Sequence, residues 1–157
     1  DGDTQNALLS RFGYAFVQPE GSPYPPILDM KTIDGPFEID GPGGPIPFLP
    51  FRVGHGSIDS LGFRISGVAY LPDVAKIYDE SWDTLQGLDC WIVDALRRAP
   101  HPTHTHLEQS LSWIESVGTK QAVLTNMHID LDYDTVMAET PDNVIAAFDG
   151  LTLRFPL

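Results

Sequence analysis

Five histidines, His55, His101, His104, His106 and His128, occur in a chain of 157 residues, and four of them follow closely on apolar runs that read as strands. Loops after strands are where α/β proteins place their sites. Taken singly, a loop histidine is more often a solvated surface residue; only as a set do these five point to a site. His55 lies between two glycines in RVGHGSIDSLGFRI. Glycines permit close backbone approach to a ligand, and an exposed imidazole in a turn fits the segment equally well. Asp73 follows the strand-like VAYLP, where it can serve as a ligand or cap a helix. His128 stands two residues beyond AVLTN. Imidazoles and carboxylates at successive strand ends are a donor set suited to Zn²⁺, Mn²⁺ or Fe²⁺.

The segment RRAPHPTHTHLEQSL adds His101, His104 and His106. Three histidines could bind a metal by themselves, but Pro102 breaks any helical face they would share. A more specific use is an imidazole that gives a proton to a leaving group. Other chemistries fail on their motifs. Ser57 and Ser60 lie near His55 without a G-x-S-x-G elbow or a triad order. GPGGPIP lacks the Walker lysine and leads into a strand, so it reads as a turn. Cys90, in LDCWIVDAL, reads as a buried strand thiol rather than a nucleophile.

These residues need a scaffold. Residues 1–16 predict a helix, with Leu8, Leu9, Phe12 and Phe16 at helical spacing and Asp3 or Thr4 as cap. Residues 18–50 hold most of the prolines and predict short strands and turns, because proline is confined to sheet edges and turns. Strands are expected at 48–54, 61–65 and 67–71, with a tight turn at Ser66-Gly67. A helix at 74–86 and a strand at 88–95 follow. Next come a helix at 106–117 capped by Thr105, a strand at 120–126 and a short helix at 132–139. A hairpin over 144–155 would turn at Asp149-Gly150. The second half thus alternates β and α, which predicts an α/β sheet covered by helices. The first half is short of the helices a layered domain needs, so the chain reads as part of something larger.

Composition narrows the partners. Formal net charge is −13, from 22 acidic and 9 basic residues. Such a surface repels polyanions, which argues against nucleic-acid polymers and anionic membranes. No stretch approaches the roughly 20 apolar residues of a membrane span. The sequence opens DGDTQ, without the charged-then-apolar start of a signal peptide. One cysteine excludes a disulfide scaffold, and a cytoplasmic setting is expected.

At this point several segments agree in order with a known family. They are the strand running into His55 with SLGFRI beyond it, then AYLPD, LDCWIVDALR, HPTH, LTNMHIDLDY and FDG. In that order they resemble metallo-β-lactamase-fold hydrolases, closest to the phosphodiesterases related to the accessory protein of the carbon–phosphorus lyase pathway. The match covers roughly residues 50–155, with weaker similarity before them. The resemblance implies the C-terminal part of an αββα sandwich and a centre of two divalent metal ions, Mn or Zn, with Fe as a third candidate. It implies His55 as a ligand, Asp73 as the bridging ligand, His128 as the final ligand and His104 as proton donor to the leaving group. The usual final motif is L-T-H-x-x-H, whereas here Asn126 occupies the ordinary ligand position, so His128 serves only if its loop shifts. The family's H-x-H-x-D-H motif is absent from this sequence. The expectation is therefore a partial domain over 1–157, lacking the N-terminal segment that carries this motif and inactive alone.

The activity so implied is hydrolysis of small phosphodiesters or of cyclic or nucleotide phosphates. An alternative is a non-catalytic protein that retains the fold remnant and binds a phosphate-bearing ligand. Relatives that cleave thioesters, lactams and lactones make a third reading. Sheet surface left open by a missing half predicts association, including homo-oligomers.

Overall fold

A computed structural model describes residues 2–155, which divide into two units at Pro36 and Phe37. In the first unit, helix α1 runs Gly2–Phe16 with a kink at Phe12. Asp3 and Thr4 lie inside its first turn rather than capping it, and Asp1 is outside the described residues. The chain then turns back, and the Ile27 and Leu28 amides both donate to the Ala15 carbonyl at 2.9 Å. No strand forms between Phe16 and Phe37, because the prolines there remove the donors a ladder needs.

The second unit is built on one mixed sheet. Its strands are β1 (Phe37–Gly41), β2 (Gly44–His55), β3 (Ile58–Ile65), β4 (Val68–Leu71), β5 (Lys76–Ile77), β6 (Cys90–Asp94), β7 (Gln121–Thr125) and β8 (Val144–Ala146). The order is β1-β2-β3-β4-β6-β7-β8, with β5 paired to β2. Strands β1 to β4 form an antiparallel meander. β4, β6, β7 and β8 run parallel. Helix α2 (Leu107–Val117) connects β6 to β7, and α3 (Tyr133–Glu139) connects β7 to β8. The expected α/β sheet is present, with crossover helices between β6 and β7 and between β7 and β8.

Alternation along the parallel strands builds the core. Trp91 and Val93 of β6, Ala122 and Leu124 of β7, and Val144 and Ala146 of β8 belong to one buried cluster with Leu107, Ile114 and Val117 of α2 and Val136 of α3. Burying a side chain of this kind contributes about 1.5–3 kcal/mol. Asp132 caps α3, its Oδ1 accepting from the Thr135 amide at 3.0 Å and from Thr135 Oγ1 at 2.7 Å. Gly62 of β3 is required by close packing: a Cβ there would come within 2.4 Å of the Phe51 ring and 2.9 Å of Leu71. Gly62→Ala is therefore expected to destabilise the fold by about 1–3 kcal/mol, read as a lower midpoint in chemical denaturation.

Three further expectations are corrected. The helix predicted at 74–86 is β5 followed by a short 3₁₀ segment, Asp79–Leu85. The Val74 amide donates to Asp94, the Ala75 amide to the Gly54 carbonyl, and Ile77 pairs with Val53, so these backbone groups serve the sheet instead of a helix. Thr105 does not cap α2; His106 occupies that position, while Thr105 is buried and its hydroxyl accepts from Ser110 Oγ at 3.2 Å. The hairpin at 144–155 does not form. β8 adds in parallel to β7, and Phe148, Leu151, Leu153 and Phe155 line a cavity against Val68, Ile92 and Val123 on the sheet face opposite α2. Apolar cover for that face takes the residues that would have made the second arm.

Cys90 is fully buried in β6, and burial pushes its thiol up to about 11. It is a packing residue and not a nucleophile. Native protein should give no reaction with a disulfide reagent such as Ellman's, and the thiol should appear only after denaturation. Rapid labelling of the native chain would overturn this assignment.

Candidate metal centre

Strand ends on one edge of the sheet bring the chemistry together. His55 is the last residue of β2, and Asp73 stands two residues beyond β4. Asp94 ends β6, with His104 in the loop that follows, and Asn126 comes directly after β7. In α/β sheets the carboxyl ends of parallel strands are where sites form.

His55, Asp73 and His104 each offer a ligand atom, and the three atoms lie within 4.8 Å of one another. The rings of His55 and His104 meet edge to face at 4.6 Å, and His104 Nδ1 is 3.9 Å from Asp73 Oδ1. The approach is close because the turn after β2 is Gly56, at φ 72°, where a Cβ would come within 2.5 Å of the Thr103 methyl. The histidine loop thus seats on the glycine turn, the close approach that glycine permits. Asp73 is held by its backbone, its carbonyl accepting from Ser60 Oγ at 2.5 Å, and its half-exposed carboxylate is left for other partners.

His104 has a buried partner. Asp94 is fully buried, and its Oδ2 lies 2.7 Å from His104 Nδ1 while accepting from the Val74 amide at 3.2 Å. Its Oδ1 accepts from Asn126 Nδ2 at 3.3 Å. Burial pushes the Asp94 carboxyl above its usual range, and the hydrogen bonds from His104, Val74 and Asn126 pull the other way. Both oxygens accept, so the carboxylate form fits and Nδ1 of His104 carries the hydrogen, leaving Nε2 bare. Asn126 adopts a left-handed conformation, φ 61°, uncommon outside glycine, and in it the amide donates to Asp94 and to the Pro72 carbonyl at 3.4 Å.

Of the residues singled out in the sequence, His55, Asp73 and His104 converge. His128 lies outside the group: its ring is more than half exposed and pairs with Asp130 at 3.4 Å, and its backbone amide donates to Leu96 at 2.7 Å. His101 stands beside the group, 5.4 Å from His104 between ring centres. Burial, then the charges of Arg97, His104 and His55, hold the His101 imidazole below its usual range. Asp94 was given no role in the sequence reading. The available signal was a carboxylate closing an otherwise apolar strand, CWIVD.

The residues fit a divalent metal on two observations. The donors are an imidazole, His55, and a carboxylate, Asp73, and with His104 they bring their atoms within 4.8 Å of one another. In addition, Nδ1 of His55 is buried with no hydrogen-bond partner among the described residues. A buried polar atom left so costs about 1–3 kcal/mol, which a bound group would relieve.

Comparison with known proteins agrees with this architecture. Residues 1–129 match the family described as the beta-lactamase superfamily domain, and the chain belongs to that family. Its relationship to one branch is stronger than to the fold at large. A diphosphatase of the PhnP family superimposes with a TM-score of 0.82 at 33% identity, covering 98% of this chain and 56% of that one. Zn²⁺-bound PqqB from Methylobacterium extorquens shares the fold at 16% identity, with a TM-score of 0.59 over 81% of this chain and 56% of that one. An octanoyltransferase of Porphyromonas gingivalis is 28% identical over 153 residues, 93% of this chain but 30% of that protein. The chain thus spans little more than half of the diphosphatase structure and under a third of the octanoyltransferase. No helix among the described residues is long and apolar enough to cross a membrane.

Proposed function

We propose that this chain is the C-terminal part of a metal-dependent hydrolase of small phosphodiesters or nucleotide-derived phosphates. The observation that carries the reading is the convergence of His55, Asp73 and His104 within 4.8 Å. The likeness to a PhnP-family diphosphatase at 33% identity supports a phosphate ester as the bond cleaved. His55 and Asp73 would hold the metal, and further ligands would come from a segment carrying H-x-H-x-D-H outside these residues. Two bound divalent ions, Mn or Zn, would supply a water-derived nucleophile at neutral pH and offset the charge of the phosphoryl oxygens. That charge compensation is what a protein of net charge −13 needs in order to take an anion.

The chain's own residues do the rest. Asp94 holds His104 by Nδ1, so Nε2 is the nitrogen that takes up a proton and gives it to the departing oxygen. Asn126 and the Val74 amide keep Asp94 in place for this. Gly56 lets the His104 loop close on His55, so donor and ligands face one substrate.

A second reading follows from the octanoyltransferase likeness, which favours an acyl ester or thioester as the bond. Full-length protein, purified and analysed for metal per chain, should be assayed on bis(p-nitrophenyl) phosphate and on an octanoyl thioester. About two ions per chain with cleavage of the phosphodiester alone is the expected result. Cleavage of the thioester alone would move the assignment to acyl chemistry. No metal and no turnover, with phosphate still bound, would leave a non-catalytic phosphate-binding protein.

A further inference from the structure

His101 has no part in the site as argued so far, yet its ring sits against that of His104 and its protonation pattern can be read from its neighbours. The Thr103 backbone amide donates to His101 Nδ1 at 3.4 Å, and Thr103 Oγ1 lies 3.2 Å from the same nitrogen. A backbone N–H has only a hydrogen to give, so Nδ1 must be the bare nitrogen. The single hydrogen of the neutral imidazole is then on Nε2.

The segment carrying this ring is pinned on both sides. Arg97 donates from Nε to the Ala99 carbonyl at 3.0 Å and from a terminal nitrogen to the Pro100 carbonyl at 2.7 Å, fixing the backbone just before His101. On the other side the Thr103 methyl is seated on Gly56, next to His55. A half-buried imidazole in such a frame is pre-oriented, so little freedom is lost when it meets a ligand.

We propose that His101 is a substrate-orienting residue that offers Nε2–H as a fixed, neutral donor to a phosphoryl oxygen of the ester bound beside His55 and His104. The proposal rests on the phosphodiesterase reading. It separates two neighbouring imidazoles by tautomer. His104 carries hydrogen on Nδ1 and presents Nε2 as the nitrogen that exchanges a proton, whereas His101 carries it on Nε2 and only donates. One would move a proton while the other holds the anion still.

The test uses the full-length, metal-loaded protein with bis(p-nitrophenyl) phosphate, and three variants whose outcomes differ. The amide nitrogen of glutamine reaches about where Nε2 stands, whereas asparagine has polar atoms only near Nδ1. His101→Gln should therefore keep KM close to wild type, while His101→Asn and His101→Ala raise it about tenfold, with kcat changed far less and metal content unchanged. A merely structural link to Thr103 gives the opposite pattern, because asparagine can still accept from the Thr103 amide and glutamine is badly placed to. Rescue by asparagine and not by glutamine overturns the proposal, as does an unchanged KM in His101→Ala. In ¹⁵N-histidine NMR spectra the wild-type ring should show the Nε2–H tautomer, and a hydrogen on Nδ1 overturns the assignment without reference to activity. Absence of phosphodiester hydrolysis by the wild type overturns the parent reading and this proposal with it. Hydrolysis with an unmoved KM overturns this one alone.

Discussion

Asp73→Ala in the full-length protein should lose metal and hydrolytic activity together while the fold stays intact. The residue is suited to such a separation. Its carboxylate is half exposed, and the structural contact it makes is through its backbone carbonyl to Ser60 Oγ, which alanine preserves. Unfolding free energy of the metal-free protein is expected to change by about 0.5 kcal/mol or less, as for other exposed substitutions. A metal held there would stabilise the transition state by several kcal/mol, so its loss should lower kcat/KM roughly a thousandfold or more. Elemental analysis and the rate assay are the two readouts. A variant with full metal content and full activity would remove Asp73 from the ligand set, and with it the placement of the centre on this edge of the sheet.

Asp94→Asn should separate binding from chemistry in the opposite way. The substitution keeps the shape but replaces one carboxylate oxygen by an NH₂ group. Oδ2 faces the donors of His104 and Val74, and Oδ1 faces that of Asn126, so in either orientation the amide sets a donor against a donor. Inside a fully buried position this should cost about 1–3 kcal/mol of stability. With the NH₂ group turned toward His104, that ring loses the acceptor that fixed its tautomer, and a general acid contributes about 10²–10⁴-fold. kcat should fall within that range with metal held by His55 and Asp73 retained. The loss should be larger for a substrate with an alkoxide leaving group than for one releasing p-nitrophenolate, which needs little protonation to depart. Equal losses for both substrates would mean that Asp94 only supports the fold.

Two of the corrections share a cause. Residues 74–86 carry the apolar spacing of a helix, but Val74 and Ala75 spend their amides on Asp94 and Gly54, partners distant in sequence. The Asp149-Gly150 signal for a hairpin is sound locally, yet β8 finds a parallel neighbour in β7 and the second arm folds onto the sheet face. Local propensity in each case is weaker than a non-local pairing it has no means of registering.

Much of this protein was nonetheless determined by its sequence alone. The alternation of LDCWIVDAL, KQAVLTN and the helical segment between them is enough for an α/β unit, a sheet covered by helices. The ordered segments around His55, Asp73 and His104 were enough for the family. What only the tertiary structure decided is which residues meet. It set His128 on an exposed loop and brought Asp94 and Asn126 in behind His104, because strand register places β6 and β7 ends side by side across 31 residues of chain. It also decided the two imidazole tautomers, since a histidine's hydrogen goes where its neighbour accepts or donates, and those neighbours are set by the folded backbone.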